Sequence, residues 1–528
     1  MNFFFKVLLD IYFSIKFSKH NKFYFKKKTF FKKKNNVILT EMVGMQSSQI
    51  PISYLLDSLS NKFKANIIAY NLIVDKNFFK VILWYLLKFF NLNDFFLYRS
   101  MGVDDFIYIN INNTQKKISY KLYKKILGKI KRKEDILKIS IDNVYIGDLI
   151  YDHYLIKYKL PTIDVTSTTF KNFLLTSVEI YVFWKFFFKN HTIKALNVSH
   201  CVYLLAIPLR IAVKNKVLVY QTKYQSIHKF NKKHFHEYEG FKNFSKTFSL
   251  MTKKDRLNGI KLAKKLLIKK MSGKILVDQS ESTKSAYFKK TSKIRVIKKS
   301  KRIKVLILTH CFFDSPHSYG KNIFVDFYEW IEFLGKMSNI TNYDWYIKLH
   351  PDYLNGTKEI IDNFLIKYPK INYIPANISH HQIINEGINF ALTVYGTVGA
   401  EYAYKKIPVI NASINNPHIS YNFNFHPKNL REYENLIYNL KKIKLKISIS
   451  KVYEFYYMRN IHYWHNWLGL NYREFINKVG SYKNQFTYQA YKIWLKEFNI
   501  NKHKSIIKTI DNFIKSNSNL LEYKHINN

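Results

Sequence analysis

Cysteine is scarce in this sequence: its 528 residues include two, Cys201 and Cys311. They lie far apart and form no Cys-x-x-Cys pair, so the sequence favours neither a disulfide framework nor a zinc cluster. A protein of this composition fits a reducing cytoplasm.

Long apolar runs are also missing. The stretch from Phe78 to Phe90 is interrupted by Lys80 and Lys88, and nowhere do about 18 apolar residues follow one another. We therefore expect no transmembrane helix. The N-terminal stretch is not typical of a signal peptide, because Asp10 interrupts its apolar run and no small-residue cleavage site follows.

Acidic residues are few, with 36 against 86 lysines and arginines and a formal net charge of +50. Glycine and proline are scarce too, with 15 and 10 residues, while Lys, Asn, Ile, Phe and Tyr are abundant together. This is the pattern of an AT-rich genome, so we interpret most lysines as solvated surface residues. The sequence contains no helix-turn-helix, RNA-recognition or zinc-finger signature, and we expect no nucleic-acid partner.

Apolar residues make up 47% and aromatic residues 17% of the chain, enough to build a large core and to exclude general disorder. The length suits two domains of about 150 to 250 residues with connecting elements. Composition and periodicity indicate a basic aromatic leader, an α/β domain with an insertion at about 77–190, a polar linker, a second α/β domain and a helical tail. The predicted boundaries are 1–36, 37–250, 251–300, 301–445 and 446–528.

Two basic segments have the composition to rest on an anionic membrane: the leader, with lysines at 26–28 and 32–34, and the stretch from Lys116 to Lys133. The alternative is that both are solvated. We expect a location in the cytoplasm or on the inner face of the cytoplasmic membrane.

The second domain shows five apolar strands that alternate with helices. We predict strands at 303–308, 345–349, 371–374, 390–394 and 408–411, and helices at 324–337, 357–367, 379–387 and 398–405. In the first domain we predict strands at 37–40, 65–70, 195–198 and 217–220 and a helix at 52–63. The pattern indicates an α/β fold with two Rossmann-like domains and a C-terminal helical segment.

Ligands of such sheets bind beyond the carboxyl ends of the strands. Two motifs of the second domain lie there: Lys348-Leu349-His350-Pro351-Asp352 and Tyr395-Gly396-Thr397-Val398-Gly399-Ala400-Glu401. The glycines let backbone N–H groups approach a phosphate, and the Thr397 hydroxyl and the helix dipole add to that attraction. Glu401 is placed to accept hydrogen bonds from a ribose, and His350 to donate one to a phosphate or base. The alternative is that both motifs only shape turns.

The stretch from Ile303 to about Leu430 resembles bacterial capsule and surface-polysaccharide glycosyltransferases of the GT-B type. The resemblance is carried by Thr309-His310-Cys311-Phe312-Phe313-Asp314 and by the same two motifs, and extends weakly to Gly147–Asp152 and Ser199–Tyr203. It implies two facing domains, with the acceptor on the first and a nucleotide-sugar donor on the second. In related CMP-sugar-dependent transferases a His-Pro motif and a Ser/Thr-containing glycine loop hold the CMP, which matches His350, Pro351 and Thr397. This loop reads Gly-Thr rather than paired serines, so the nucleotide stays open.

A metal-clamped diphosphate is disfavoured, because no two aspartates of the sequence are separated by one residue. We expect no metal and no cofactor beyond the nucleotide-sugar co-substrate. Lys348, His350 and the helix dipole at Thr397 would meet the charge of the leaving group.

The base that deprotonates the acceptor hydroxyl stays open among four residues: Asp314, His317, Glu41 and His200. Each has a structural alternative, such as a turn or a buried core histidine. The reaction also stays open, because a polyol-phosphate transferase with a CDP donor would use a similar cleft. A nonenzymatic capsule assembly or export factor would keep the fold without a working base.

Overall fold

The computed structural model describes residues 3–25, 36–71, 78–274, 276, 285–288, 292–350, 353–463 and 466–526. Its helices and strands alternate through two consecutive units. The elements of the first half are α1 (Phe3–Tyr24), β1 (Asn36–Glu41), α2 (Gln46–Phe63), β2 (Asn66–Asn71), α3 (Phe78–Phe89), α4 (Asp94–Ser100), β3 (Asp105–Tyr108), α5 (Asn113–Leu127), β4 (Ser140–Ile141), β5 (Val144–Tyr145), α6 (Gly147–Tyr158), α7 (Thr168–Asn190), β6 (Thr192–Val198), α8 (Ile207–Lys214), β7 (Leu218–Lys223), β8 (Ser226–Phe230), α9 (Phe244–Ser249) and α10 (Lys253–Met271).

The second half continues the alternation and then becomes helical. Its elements are β9 (Lys304–Leu308), α11 (Phe327–Ile340), β10 (Asp344–Lys348), α12 (Thr357–Lys367), β11 (Ile371–Ile374), α13 (His380–Asn385), β12 (Phe390–Thr393), α14 (Val398–Tyr404), β13 (Val409–Asn411), α15 (Leu430–Tyr438), α16 (Ile449–Tyr457), α17 (Tyr472–Val479), α18 (Tyr488–Glu497), α19 (Ile500–Lys515) and α20 (Tyr523–Ile526).

Most of the strands form two large sheets that confirm the predicted α/β class, and β4 and β5 pair separately. The first has six strands in the order β3-β2-β1-β6-β7-β8, parallel except for β8, and the second has five parallel strands in the order β11-β10-β9-β12-β13. The strand order reverses between β1 and β6 in the first sheet and between β9 and β12 in the second. These reversals open a crevice at the carboxyl ends of the flanking strands, where doubly wound sheets bind ligands.

Side chains alternate between the two faces of the second sheet, which explains its continuous apolar strands. Val305 and Ile307 pack with α11 and α12 on one face, whereas Leu306 and Leu308 pack with α13 and α14 on the other. A strand buried on both faces has no polar positions between its apolar ones. The predicted strands of this domain therefore match the observed ones closely.

The stretch that we expected to be an insertion belongs to the first domain. It supplies β3, an edge strand of the sheet, and α7, whose Val178 and Trp184 cover one face. Another difference concerns α11, which begins three residues later than predicted. The carboxylate of Asp326 accepts a hydrogen bond from the Glu329 N–H and caps the helix there.

The C-terminal helices α17, α18 and α19 pack on the first domain. Trp467, Phe475, Trp494 and Phe513 join the core that covers one face of the first sheet. The backbone N–H of Leu521 then donates to the carbonyl of Ile227, at 2.9 Å, so the chain adds a short strand to the edge at β8. Among the residues that the structure describes, no helix is long and apolar enough to span a membrane.

Polar side chains join the two domains at the carboxyl edge of both sheets. The hydroxyl of Tyr151 donates to Asp326 at 2.5 Å, and that of Tyr203 donates to Asp314 at 2.7 Å. The Nδ1 atom of His317 lies 2.6 Å from the carboxylate of Asp152. These contacts place the loop after β6 against the loop after β9.

Helix α6 carries Asp152 and depends on a glycine at its first position. A Cβ atom at Gly147 would lie 2.1 Å from the carbonyl oxygen of Ile136. We expect Gly147→Ala to lower the free energy of unfolding by about 1 to 3 kcal/mol or more, because the backbone must shift. Urea denaturation measures this loss. The control is Gly128→Ala, where the nearest atom would lie at 3.5 Å, and equal losses in both variants would contradict the prediction.

Candidate functional site

A chain of three polar groups occupies the reversal point of the first sheet. Glu41 ends β1, and Ser199 follows the neighbouring strand β6. The Ser199 hydroxyl donates to Glu41 Oε1 at 2.6 Å, and the Ser199 N–H donates to Oε2 at 2.7 Å. The same hydroxyl oxygen lies 2.7 Å from Nδ1 of His200, whose ring is exposed. A buried carboxylate is thus linked through a hydroxyl to an imidazole at the surface.

The hydrogen-bond inventory decides how this chain is protonated. A serine hydroxyl has one hydrogen, and Ser199 donates it in a hydrogen bond to Glu41 when that carboxylate is ionised. The hydroxyl oxygen must then accept a hydrogen bond from Nδ1–H of His200, which leaves Nε2 of the ring as the basic atom. A carboxylate that orients a histidine in this way is the arrangement used in hydrolase triads, here with a hydroxyl between the two groups.

Burial tunes the carboxylate of this chain. Loss of solvent raises the pKa of Glu41 to about 7, although the two hydrogen bonds from Ser199 oppose the rise. The side-chain N–H of Gln221 donates to the Ser199 carbonyl at 2.8 Å and fixes the position of the serine. The Glu41 carboxyl therefore changes charge near neutral pH.

A different histidine lies at the reversal point of the other sheet. His310 follows β9, and its Nε2 lies 3.0 Å from the Thr393 hydroxyl and accepts from the Val394 N–H at 3.3 Å. Burial and, to a smaller extent, nearby His350 lower the pKa of His310 to about 3. His310 is therefore neutral, and it positions the glycine loop after β12.

The two glycines of that loop are required by packing. A Cβ at Gly396 would lie 2.9 Å from the Thr393 hydroxyl, and one at Gly399 would lie 2.7 Å from Cε1 of His418. In the described chain the exposed side chain of Thr397 makes no capping hydrogen bond, so its hydroxyl is available to a ligand. Helix α14 has seven residues, so the dipole expected at Thr397 is that of a short helix.

A cavity of about 610 Å³ lies between the two domains, within the range of small-molecule sites. Its walls come from the β7–β8 turn, the start of α14, helix α16 with the turn after it, and the C-terminal strand. The lining includes Lys223, Ser226, His228, Lys270, Tyr319, Thr397, Glu401, Phe455, Arg459 and Leu520. The cavity is thus lined by residues of both domains, among them the turn after β7 and Thr397 after β12.

The other predicted donor residues differ in burial and in their partners. Glu401 is buried and pairs with Lys270 at 2.7 Å, a partner that the sequence did not indicate. The ammonium of Lys348 is buried against the carbonyls of Pro375 at 2.9 Å and Ala376 at 3.0 Å, and burial lowers its pKa to about 8. His350 is exposed after β10, and Pro351 lies outside the described residues. Contacts of these groups with a donor stay predictions.

The two other candidate bases take part in contacts between the domains. His317 is buried against Asp152. Burial alone would lower the pKa of His317, but the charge and the hydrogen bond of Asp152, together with the charges of Asp148 and Asp326, outweigh it and raise the pKa. Asp314 is exposed and accepts the hydrogen bond from Tyr203. Of the four candidates, Glu41 and His200 are the two that one hydrogen-bonded chain brings together.

Sequence reasoning did not give Ser199 a role, although the segment Ser199–Tyr203 belonged to the resemblance. It lies 158 residues from Glu41 along the chain, and only the pairing of β1 with β6 brings them together. Across the part of the chain that the structure describes, no three His, Cys, Asp or Glu side chains form a group able to hold a metal ion.

Comparisons with known proteins do not identify a family. No family model and no curated protein matches the sequence. Among solved structures, UDP-GlcNAc 2-epimerase from Methanocaldococcus jannaschii is 12% identical with a TM-score of 0.22, over 79% of this chain and 95% of that chain. A glycosyltransferase from Rickettsia africae is 12% identical with a TM-score of 0.21, over 88% and 100%. Glycosyltransferase VinC in complex with dTDP is 8% identical with a TM-score of 0.19, over 80% and 95%.

Likenesses of this size carry no argument about function. A functional interpretation of this protein therefore rests on the topology of its two sheets and on the residues at their carboxyl edges.

The raised pKa of Glu41 has a measurable effect on stability. The folded protein keeps the Glu41 proton up to about pH 7, whereas the unfolded chain releases it near pH 4.5. The free energy of unfolding should therefore fall as the pH rises through this window and level off above it. We expect Glu41→Gln to remove a fall on the order of 3 kcal/mol.

Urea denaturation of both proteins at pH 5 and pH 8 measures the difference. Glu359→Gln, which changes an exposed carboxylate on α12, is the control. The same pH dependence in the wild type and in Glu41→Gln would contradict the prediction.

Proposed function

We propose that this protein is a glycosyltransferase that moves a sugar from a nucleotide donor to an acceptor hydroxyl. The observation that carries the proposal is the Glu41–Ser199–His200 chain at the reversal point of the first sheet. On the donor side, Thr397 lines the cavity between the domains. Capsule, lipopolysaccharide or another surface glycan as acceptor, and a location at the inner face of the membrane, rest on the sequence resemblance and composition.

The acceptor hydroxyl must lose its proton as its oxygen bonds to the sugar carbon. In the proposal Nε2 of His200 takes this proton, because Nδ1–H is held by the Ser199 hydroxyl. The ring then becomes an imidazolium, and the carboxylate of Glu41 stabilises its charge through the serine. The buried Glu41 is more effective when ionised, so the rate should rise with pH around its pKa of about 7.

The second domain supplies the donor side of the proposal. The Thr397 hydroxyl and the His350 imidazole follow β12 and β10, two strands that both flank β9. Hydrogen bonds from these groups would stabilise the phosphate charge that grows as the sugar leaves. A CMP-linked donor is the finer suggestion of the His350 and Thr397 motifs, and other nucleotides are included in the tests.

Substitutions at the carboxyl end of β6 test the proposed base. We expect His200→Ala to lower the rate of nucleotide release about 10² to 10⁴-fold and to leave donor affinity unchanged, because it removes proton transfer alone. Ser199→Ala should lower the rate less, since it removes the group that fixes the tautomer.

The matched control is His191→Ala, which changes a histidine at the opposite end of β6. Nucleotide release is measured with a panel of UDP-, dTDP-, GDP- and CMP-sugars and CDP-polyols. Wild-type rates in His200→Ala would refute the base. Turnover confined to CDP-polyols would favour the polyol-phosphate transferase, and no turnover at all would favour a nonenzymatic assembly factor.

The donor side is tested by binding. We expect Thr397→Val and His350→Ala each to weaken nucleotide binding by about 1.5 to 3 kcal/mol, the value of a hydrogen bond to a charged group. Thermal stabilisation by the nucleotide that the panel identifies measures the change. Ser199→Ala is the control, because it lies on the acceptor side. Unchanged affinity in both donor variants would remove this site from the proposal.

A further inference from the structure

Helix α3 turns most of its apolar side chains toward solvent. Leu83 is 55% exposed and Phe89 is 82% exposed, and Ile82 and Leu86 are exposed as well. One large side chain, Trp84, is buried beneath the helix, where it contacts the rings of Phe95 and Tyr108. The helix is therefore anchored by one face and presents the other.

The first turns of α1 show the same arrangement. Leu8, Ile11 and Ile15 are exposed, whereas Phe17 is buried and stacks on Tyr491 of α18. Helices α1 and α3 both contact α4: Lys22 lies over the ring of Phe96, and Trp84 packs on Phe95. We call the exposed apolar side chains of α1 from Val7 to Ile15 and of α3 from Ile82 to Phe89 the apolar ridge.

The charges carried by α1 and α3 are mainly positive, although Lys88 of α3 pairs with the exposed Asp105 at 2.8 Å. Lys16, Lys19 and Lys22 continue the exposed side of α1 toward its end. The sequence of α3 contains no acidic residue, and the one acidic residue of α1, Asp10, accepts a hydrogen bond from the Tyr488 N–H at 2.6 Å. The ridge therefore combines apolar groups with cations.

The combination of apolar side chains and lysines favours one of two partners for the apolar ridge, a second copy of this chain or a bilayer. Soluble monomers rarely expose large apolar patches, so such a surface usually has a partner. A second copy of this chain would bring lysines together and would be opposed by their repulsion. A bilayer with anionic headgroups accepts both the apolar side chains and the lysines. At 12 residues α3 is too short to cross it and would lie in its surface.

We propose that the apolar ridge inserts into the interfacial layer of an anionic bilayer, with the lysines of α1 at its headgroups. The sequence indicated two basic segments for membrane contact, the leader and residues 116–133. The structure adds the exposed apolar helix α3 to them. Because apolar insertion contributes to the binding, part of it should persist at salt concentrations that screen the lysines. The proposal does not depend on the transferase activity.

The test is flotation of the full chain with vesicles of phosphatidylcholine, with and without phosphatidylglycerol, at low and high salt. We expect Leu83→Glu combined with Phe89→Glu to lower the partition coefficient at least about tenfold, since each substitution removes a side chain that would leave water. Both residues are exposed, so thermal unfolding should be unchanged. The matched control is Ile366→Glu on α12, which changes a residue that is 80% exposed in the other domain.

Three results would overturn the proposal: no wild-type binding to anionic vesicles, equal binding by the double variant, or loss of all binding at high salt. Sedimentation velocity tests whether a second copy of this chain covers the apolar ridge instead. A wild-type dimer that becomes a monomer in the double variant would assign the apolar ridge to that contact. Vesicle binding without donor turnover would refute the proposed function alone, and turnover without vesicle binding would refute the apolar ridge alone.

Discussion

The structure depends on how it accommodates one buried carboxylate. Glu41 lies at the end of a central strand, where removal from water disfavours its charge. Ser199 compensates with a backbone and a side-chain hydrogen bond, which requires β6 to lie beside β1 in the observed register. The hydrogen bonds between Glu41 and Ser199 thus depend on the crossover through α7, which makes β6 parallel to β1 and fixes the position of the serine. The same serine orients the exposed His200 through its hydroxyl.

The second sheet has a different polar group at its reversal point. Its reversal point holds a neutral histidine, His310, whose hydrogen bonds shape a glycine loop rather than hold a charge. The first domain therefore has a titratable chain at its reversal point, and the second has a close-packed turn with the exposed Thr397 hydroxyl.

Much of the fold was predictable because parallel strands buried on both faces are continuous apolar runs, as at 305–308 and 390–392. The strand β3, with four residues and one buried side chain, has too little pattern to be recognised. Glu41 and His200 were candidates because each follows a strand, but the serine that joins them is identified by strand pairing alone. The pairing of Glu401 with Lys270 depends on the packing of α10 and was equally hidden.

The return of the C-terminal segment has a consequence for biosynthesis. The core of the first domain contains Trp467, Phe513 and Leu521, and residues 519–521 complete the edge of its sheet. An N-terminal domain usually folds while the rest of the chain is still being made. Here the edge of the first sheet at β8 stays unpaired until residues 519–521 have been synthesised, which is after the whole of the second domain. Aggregation during synthesis should therefore be sensitive to changes in the C-terminal helices and strand, although these lie far in sequence from the strands that they cover.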